Sequence, residues 1–148
     1  MSERLFKSAI QAMDDIHEVL NLADVVSNTS LTGEIRILNQ RLNSEKEDIV
    51  INTIVTNASQ IAEGMFNINI HVPSLKNQPT NTPNVVDNTQ PNIQRMESIG
   101  REIMSVVDGF RGFDFSLNLE STGEVIPNGK NWYYNIVVRY VYLRTDNN

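Results

Sequence analysis

The closing stretch of this 148-residue chain, from Trp132 to Leu143, constrains the fold more than any other. Successive side chains of a β-strand point to opposite faces, so alternate residues of the stretch share one side. One of its sides is entirely large and apolar or aromatic, and full burial of such a side chain contributes about 1.5 to 3 kcal/mol to stability. The stretch therefore predicts a strand that buries one whole face. The residues of that face are Trp132, Tyr134, Ile136, Val138, Tyr140 and Tyr142.

An Asn-Gly pair, Asn128 and Gly129, lies just before this strand. Two-residue hairpin turns favour residues that adopt positive φ, so Asn-Gly between two strand-like runs is a strong hairpin signal. Counting back from the pair places Leu119 opposite Val138 on the apolar face without a bulge. We therefore expect one long antiparallel hairpin over residues 113–143. The other predicted pairs on this face are Val125 with Trp132, Gly123 with Tyr134, Ser121 with Ile136, Leu117 with Tyr140 and Phe115 with Tyr142.

Composition excludes several classes of protein. At 148 residues the chain fits a single domain, residues 1–148, that can bury its own core. The absence of cysteine removes disulfides, thiolate metal sites and a cysteine nucleophile, and no apolar run approaches the roughly 18 residues of a membrane span. A net charge of -6 argues against a protein that wraps nucleic acid, because affinity for DNA comes mainly from neutralising phosphates. The N-terminus lacks the apolar core of a secretory signal, so we expect synthesis in a cytoplasm.

Two amphipathic helices are predicted. Residues 1–26 form the first helical segment, with Ser2 as the N-cap of a helix over 3–26, because apolar residues recur there at three- and four-residue spacing. The second helix has Pro91 in its first turn, where a proline lacks only an N–H that would have no partner, and it ends at residues 109–112, from Gly109 to Gly112. Its apolar stripe is Ile93, Met96, Ile99, Gly100, Ile103, Met104, Val107 and Phe110.

Three further strands are expected at residues 34–38, 48–55 and 65–72, from their β-branched content and alternation. The element order is then α-β-β-β-α-β-β, closed by the C-terminal hairpin. Two amphipathic helices and a sheet with one strongly apolar face predict a two-layer α+β domain. In it, both helices pack on one face of a mainly antiparallel sheet.

A long polar loop, residues 74–90, separates the third strand from the second helix. Four of the five prolines of the chain lie at positions 73, 79, 83 and 91, interleaved with asparagine and threonine. Such a stretch is too polar to order itself by burial, and loops longer than about 12 to 15 residues are usually functional or mobile. We therefore expect an excursion from the fold that touches neighbouring molecules.

The search for catalytic chemistry finds little. His17 lies among acidic residues of the first helix and His71 on the polar side of a strand, and no spacing enforces a metal site around either. The acidic run Glu45, Glu47 and Asp48 lacks the pattern of a calcium loop and is interpreted as a solvated turn. Serine nucleophile motifs, phosphate loops and dinucleotide fingerprints are absent. We expect no enzymatic activity, no metal and no cofactor.

Three features indicate an interaction protein. The outward side of the closing strand is more apolar than a solvated face requires, and the long loop and the hairpin tip are elements that can reach a neighbour. Stacking of nucleic acid on the tyrosines is the weaker interpretation, since they alternate with core positions. The candidate interface residues are Tyr133, Val137, Arg139 and Val141 on the strand, Lys76, Gln78 and Asn81 in the loop, and Asn128, Gly129 and Lys130 at the tip.

The order of elements, together with three phrases, resembles the tail terminator, or tail-completion, proteins of long-tailed bacteriophages. The phrases are Ser44-Glu-Lys-Glu-Asp-Ile-Val-Ile-Asn52, Asn67-Ile-Asn-Ile-His-Val-Pro73 and Trp132-Tyr-Tyr-Asn-Ile-Val-Val-Arg-Tyr140. The resemblance spans nearly the whole chain. It departs from a minimal terminator in the loop between Pro73 and Pro91, which is longer and richer in Asn and Pro.

The resemblance implies a small α/β subunit that forms a ring, commonly of six copies, at the head-proximal end of the tail tube. Such a ring stops tube growth and offers a surface to the head connector, and the protein is made in the host cytoplasm and resides in the virion. The implied partners are other copies, the tail tube protein and the connector protein, with DNA only passing through the lumen and no membrane contact. Fold kinship leaves open another head–tail connector ring protein of the same fold. A second hypothesis is a soluble module that binds a small molecule or peptide between sheet and helices, with His71, Asn67 and Asn69 as its polar groups.

Overall fold

The computed structural model of the chain describes residues 7–41, 43–56 and 63–143, without the side chains of residues 55 and 56. Its helices are α1 (Ala9–Leu22), α2 (Val25–Thr29) and α3 (Ile93–Val107). Its strands are β1 (Ile35–Ile37), β2 (Asp48–Thr56), β3 (Glu63–Val72), β4 (Gln78–Pro79), β5 (Val86–Asp87), β6 (Phe110–Arg111), β7 (Phe115–Asn128) and β8 (Asn131–Tyr142).

One six-stranded sheet organises the fold. Its strand order is β1-β2-β3-β8-β7-β6, and neighbours are antiparallel except for β1 and β2, which run parallel. Helix α1 packs on β1 and β2, and α3 packs on β3, β7 and β8. The chain is therefore an α+β domain with a mainly antiparallel sheet, as its sequence predicts. The strands predicted at 34–38, 48–55 and 65–72 are confirmed as β1, β2 and β3, with β1 at the sheet edge.

The hydrophobic core lies between the helices and the sheet. Strand β8 contributes Ile136 and Val138 to it, and α3 contributes Ile103, all three fully buried. Trp132 and Tyr134, nearer the hairpin tip, are half-buried against the same core. The apolar side predicted for the closing strand is thus the core side, so the polar residues of β3 and β8 lie on the other side of the sheet.

The hairpin turn differs from the prediction. Asn128 pairs with Asn131, so the turn consists of Gly129 and Lys130, and of these two only Gly129 has a positive φ, +66°. This is the pattern of a type II′ turn, which requires glycine at its first central position. Near the tip, Val125 pairs with Tyr134 and Pro127 with Trp132, rather than Val125 with Trp132 and Gly123 with Tyr134, and Ser121 pairs with Val137 rather than Ile136.

Two irregularities in β7 absorb the offset that this turn creates. One lies between Leu119 and Ser121 and the other between Ser121 and Glu124, and each leaves one extra residue on β7, as a β-bulge does. Beyond them the predicted register is confirmed, with Leu119 opposite Val138. The predicted pairs Leu117 with Tyr140 and Phe115 with Tyr142 are also present.

Gly123 lies under the ring of Tyr134, although Val125 is the strand partner of that tyrosine. A Cβ atom at position 123 would be 2.2 Å from Cζ of Tyr134, and the φ of Gly123 is +116°. The tyrosine hydroxyl donates to the carbonyl of Thr122 at 2.8 Å. Only glycine combines this backbone conformation with this close approach, and the ring covers the gap that glycine leaves.

The N-terminal helix is shorter than the span predicted over residues 3–26. Helix α1 begins after Ser8, which forms a reciprocal capping box with Gln11, and Ser2 lies outside the described residues. Asp24 adopts a left-handed conformation, φ +56°, which separates α1 from α2. A single left-handed residue interrupts helical hydrogen bonding, and the apolar spacing alone did not predict it.

The second predicted helix is confirmed as α3, with differences at both ends. Pro91 precedes the N-cap Asn92, whose side chain accepts a hydrogen bond from the Arg95 N–H at 3.2 Å. Ile93, expected on the apolar stripe, is 59% exposed. Phe110 lies in β6 rather than on the helix.

Residues 73–91 form a projection that we call the arm, and it has more internal order than its sequence predicts. Strands β4 and β5 pair as a short ribbon, and Leu75 pairs with Gln90 at its base. Asn88 Oδ1 accepts from the Asn77 N–H at 2.7 Å, and Asp87 accepts hydrogen bonds from residues 89 and 90. The arm thus differs from the plain loop that its sequence predicts, because its polar side chains bond to nearby backbone groups without a core.

Candidate functional site

The side of β3 and β8 that points away from the helices forms a continuous surface, which we call the open face. Apart from Asn69, which is 8% exposed, its side chains are half-buried. They are thus neither core residues nor freely solvated ones. The open face consists of Met65, Asn67, Asn69 and His71 from β3 and Tyr133, Asn135, Val137, Arg139 and Val141 from β8.

An asparagine ladder crosses the open face. Asn135 Nδ2 donates to Oδ1 of Asn69 at 2.7 Å and to Oδ1 of Asn67 at 2.8 Å. Asn67 Nδ2 in turn donates to Oδ1 of Asn52, on β2, at 2.8 Å. Burying a polar group is unfavourable unless it is hydrogen-bonded. The groups that form these three bonds keep their partners when another protein covers the open face.

An aromatic pair and an ion-pair network flank the ladder. Tyr133 packs against His71 with ring centroids 5.1 Å apart. Arg139 Nε donates to Oε1 of Glu120 at 3.0 Å, and Arg139 Nη1 lies 3.4 Å from Oε1 of Glu63. The hydrogen bond with Glu120 raises the pKa of the guanidinium. The predicted residues of the closing strand therefore share one surface, on which Arg139 already has acidic partners.

The arm and the hairpin tip meet at one end of the sheet. Ser74 Oγ donates to the carbonyl of Lys130 at 2.6 Å, and Trp132 Nε1 donates to the carbonyl of Thr89 at 2.7 Å. Lys76 and Lys130 line the same open concavity of about 810 Å³. Two elements that the sequence predicts separately thus form one projecting structure. Of the other predicted residues, Gln78 lies in β4, Asn81 is exposed in the turn of the arm, Asn128 ends β7 and Gly129 begins the hairpin turn.

The two histidines lie in separate parts of the fold, His17 on α1 and His71 on β3. His17 Nε2 lies 3.0 Å from the carbonyl of Ile35 and joins α1 to β1. Burial lowers the pKa of His71, although the nearby Asp48 carboxylate opposes that shift. Among the described residues, His, Asp and Glu side chains form no group of three that could hold a metal ion.

The acidic run from Glu45 to Asp48 is not the solvated turn that its sequence predicts. Of its three carboxylates only that of Glu45 is exposed, while Asp48 is fully buried and accepts from Ser44 Oγ at 2.6 Å and Arg41 Nη2 at 2.7 Å. Burial alone would raise the pKa of Asp48, but these hydrogen bonds and one from the Glu34 N–H outweigh it and lower the pKa. The prediction is wrong because the basic and hydroxyl partners of this carboxylate lie several residues away along the chain.

Arg95 of α3 forms an ion pair with Glu47, the other buried carboxylate of that run. Its Nε and Nη2 atoms lie 2.5 and 2.8 Å from the two carboxylate oxygens of Glu47. Nη2 also donates to the carbonyls of Thr29 and Ser30, at the end of α2. A bidentate arginine–carboxylate pair therefore joins α2, α3 and the start of β2. The sequence offers no signal that pairs residues so far apart in the chain.

A second cluster that sequence reasoning missed surrounds Lys7. Its Nζ lies 2.6 Å from Asp15 and 3.0 Å from Asp114, and it approaches the rings of three core aromatics to 5.1–5.9 Å. The Tyr140 hydroxyl donates to Asp15 at 2.6 Å, and burial together with that carboxylate raises the tyrosine pKa. Because these groups satisfy one another, the cluster fastens α1 to the base of the hairpin.

The polar residues suggested for a ligand pocket do not lie between the layers. His71, Asn67 and Asn69 belong to the open face, whereas the alternate residues of β3 pack toward the helices. A pocket between sheet and helices would therefore lack these groups.

Comparison with protein-family models gives no match, and comparison with curated proteins gives none either. Within the described ranges, no helix combines the length and the apolar character needed to cross a bilayer. A proposal for the function of the chain therefore rests on the open face, the arm and the hairpin tip.

Proposed function

We propose that the chain is a structural, non-enzymatic subunit of a bacteriophage tail terminator ring. Six copies close into a ring at the head-proximal end of the tail in the virion. The ring caps the tail tube and forms the joining surface for the head connector, and DNA passes through its lumen without specific binding. The observation that carries this proposal is the open face, where half-buried apolar side chains surround amides that hydrogen bonds join to one another.

The open face suits contact with another protein for two reasons. Its apolar members, Tyr133, Val137 and Val141, retain exposed area whose burial favours association by about 25 cal/mol per Å². The ladder keeps its three hydrogen bonds when water leaves, which lowers the cost of covering its amides. A freely solvated face requires neither property.

The sheet edges are poorly suited to contact between copies. Strand β7 pairs on its outer side with β6 at Ser116 and Leu117, and Asp108 Oδ1 accepts from the Leu119 N–H at 3.1 Å. Further along, β7 carries its two bulges and Pro127, which has no N–H to donate. The opposite edge consists of β1, three residues long, and of the part of β2 after Ile51, with which β1 does not pair. Copies are therefore expected to meet through the faces and ends of the domain rather than along β7 or β1.

Charge substitutions on the open face test the proposal. Tyr133→Asp and Val137→Asp each place a carboxylate where the contact excludes water, and an unpaired buried charge is strongly unfavourable. We expect both variants to fold with a native circular dichroism spectrum and to remain monomeric in light scattering. Gln94→Glu on the exposed side of α3 is the matched control, since it adds the same charge outside the open face.

Wild-type-like assembly of the Tyr133 and Val137 variants would contradict a contact through the open face. A wild-type chain that stays monomeric and is stabilised by a small molecule would instead favour the binding-module hypothesis.

A further inference from the structure

The hairpin tip carries the one Asn-Gly pair of the chain, Asn128 and Gly129. In such a pair the backbone nitrogen of the glycine can attack the side-chain carbonyl carbon of the asparagine, because glycine has no Cβ to hinder the approach. The attack closes a five-membered succinimide ring and expels ammonia. The hairpin tip therefore holds all the atoms of a reaction that needs no partner molecule.

Both reacting groups of this pair are free in the folded chain. Gly129 lies in the two-residue turn, outside the ladder that joins Asn128 to Asn131, and within the described ranges its N–H donates to no acceptor. The side-chain amide of Asn128 has no hydrogen-bond partner there either. Both residues are exposed, and beyond its chain neighbours a Cβ atom at position 129 would meet no atom within 4 Å. Neither group has to break a hydrogen bond before it reacts.

The backbone at the tip is held by a single bonded pair. Asn128 must rotate out of the strand before the glycine nitrogen reaches its side-chain carbon. Asn128 and Asn131 are the last pair of the hairpin, and the pair before them contains Pro127, which has no N–H to donate. The ends of an element open at a lower free energy than its centre. Fraying of this one pair is therefore enough to bring the reacting atoms together.

The Asp-Gly pair of the chain, Asp108 and Gly109, is protected by contrast. Asp-Gly forms the same succinimide with loss of water instead of ammonia. Here the Gly109 N–H donates to the carbonyl of Leu117 at 3.0 Å, and Asp108 Oδ1 accepts from the Leu119 N–H at 3.1 Å. The attacking nitrogen and the carboxylate are thus both engaged, as they are not at the hairpin tip.

Hydrolysis of the succinimide at position 128 gives two products. Water opens the ring at either carbonyl and yields aspartate or isoaspartate. Each product adds one negative charge to the net charge of -6 and raises the mass by about 1 Da, since a hydroxyl replaces an amino group. Aspartate leaves the main chain unchanged. Isoaspartate routes the main chain through its Cβ, which lengthens the turn by one backbone atom.

The attachment of the arm begins two residues beyond this position. Ser74 Oγ donates to the carbonyl of Lys130 at 2.6 Å, and the Ser74 N–H donates to Oδ1 of Asn131 at 3.1 Å. Trp132, the one tryptophan of the chain, donates its indole N–H to the carbonyl of Thr89 at 2.7 Å. An extra backbone atom in a two-residue turn displaces the Lys130 carbonyl, and hydrogen bonds weaken steeply away from their preferred geometry.

We propose that Asn128 is a site of spontaneous deamidation and that its isoaspartyl product releases the arm from the hairpin tip. The overall reaction consumes one water and releases one ammonia, so it requires neither a cofactor nor an oxidant. It takes place within a single folded copy and is therefore independent of the ring function proposed above. The hairpin tip thus changes both its charge and its shape with age.

Mass spectrometry of the folded protein during storage tests the deamidation. Trypsin cleaves after Arg111 and Lys130, so one peptide carries both Asn128 and Asn118, which is exposed but precedes leucine. We expect fragment ions to place the gain of about 1 Da at Asn128, about tenfold or more ahead of Asn118. A sample digested at the start gives the baseline. The rate should rise from about pH 6 to about pH 8, because the attacking nitrogen must lose its proton.

Tryptophan emission tests the release of the arm. We expect the isoaspartyl form to shift the emission of Trp132 to longer wavelength, as water reaches the indole, with a native circular dichroism spectrum. Asn128→Asp carries the same charge without the extra backbone atom and should keep the emission of the wild-type chain. Asn128→Gln is the matched unreactive variant, because its longer side chain cannot close a five-membered ring. It should keep both its mass and its emission during storage.

Two results would overturn the inference. A folded chain that gains no mass at Asn128 contradicts the deamidation, and a gain confined to the urea-unfolded chain would assign the protection to the last hairpin pair. An isoaspartyl form with the emission of fresh wild type contradicts the release of the arm. An equal shift for Asn128→Asp contradicts it too, since the charge rather than the added backbone atom would then act.

Discussion

Asn135 offers the sharpest test of the asparagine ladder. Replacing Asn135 by alanine removes both hydrogen bonds that its Nδ2 donates, at 2.7 and 2.8 Å. A hydrogen bond contributes about 1 kcal/mol net, and a buried acceptor left without a donor adds to the loss. Asn69 is such an acceptor, at 8% exposure. We therefore expect Asn135→Ala to lower the free energy of unfolding by about 2 to 3 kcal/mol.

A loss of that size is easily measured by thermal unfolding. For a domain of this length, 1 kcal/mol corresponds to about 2 to 4 °C, so the melting temperature should fall by roughly 4 to 12 °C. Asn118→Ala is the matched control, because Asn118 is exposed on β7 opposite Arg139. Its effect should stay within about 0.5 kcal/mol. Equal losses for Asn135→Ala and Asn118→Ala would refute the ladder as a source of stability.

Asn135→Asp tests which way the side-chain amide points. The substitution keeps the size of the side chain but places a carboxylate oxygen against the Oδ1 atoms of Asn67 and Asn69. Because three acceptors then face one another, the loss at pH 7 should exceed that of Asn135→Ala. The same crowding favours the protonated acid and raises the pKa of the new carboxyl. Part of the stability should therefore return, relative to Asn135→Ala, as the pH falls from 7 toward 4.

Three further substitutions probe the rest of the fold. Gly123→Ala should lower the urea midpoint more than Gly129→Ala, because both positions have positive φ but only at Gly123 does a Cβ meet a tyrosine ring, at 2.2 Å; equal shifts would contradict this. Burial lowers the pKa of His71 in the folded state, so the unfolded chain takes up the proton first and stability is lost as the pH falls below about 6.5. The stability difference between wild type and His71→Gln should therefore shrink or reverse from pH 7 to pH 5, and a constant difference would be inconsistent with that shift. Arg95→Met should cost about 2 to 4 kcal/mol in chemical denaturation because it leaves Glu47 without its bidentate partner, and adding Glu47→Gln should restore part of the loss.

Local sequence patterns predicted the architecture because they depend on neighbouring residues. Alternation in the closing strand identified the core side of β8. Counting back from the turn gave the observed pairing of Leu119 with Val138 because the two bulges of β7 cancel the displacement of the turn. The turn was misplaced because Asn-Gly suits a type I′ turn, whereas Gly129-Lys130 forms the pattern of type II′. Both turns are compatible with this sequence, and the bulges that reconcile the II′ register with the core have no local signal.

Part of the candidate site was predicted because it lies on a single strand. The outward residues of one strand, Tyr133 to Val141, follow from alternation alone. The ladder requires β2, β3 and β8 in register, so it cannot be derived from one segment. The clusters around Lys7 and Arg95 likewise join residues that are distant in sequence.

If copies of this chain associate into a closed ring as proposed, the mass of the purified protein in solution reveals it. Light scattering over a wide concentration range should show a closed species near six copies of the 16.8 kDa chain, about 100 kDa, with no larger species as the concentration rises. A monomer at every concentration, or a mass that grows without limit, would contradict a closed ring.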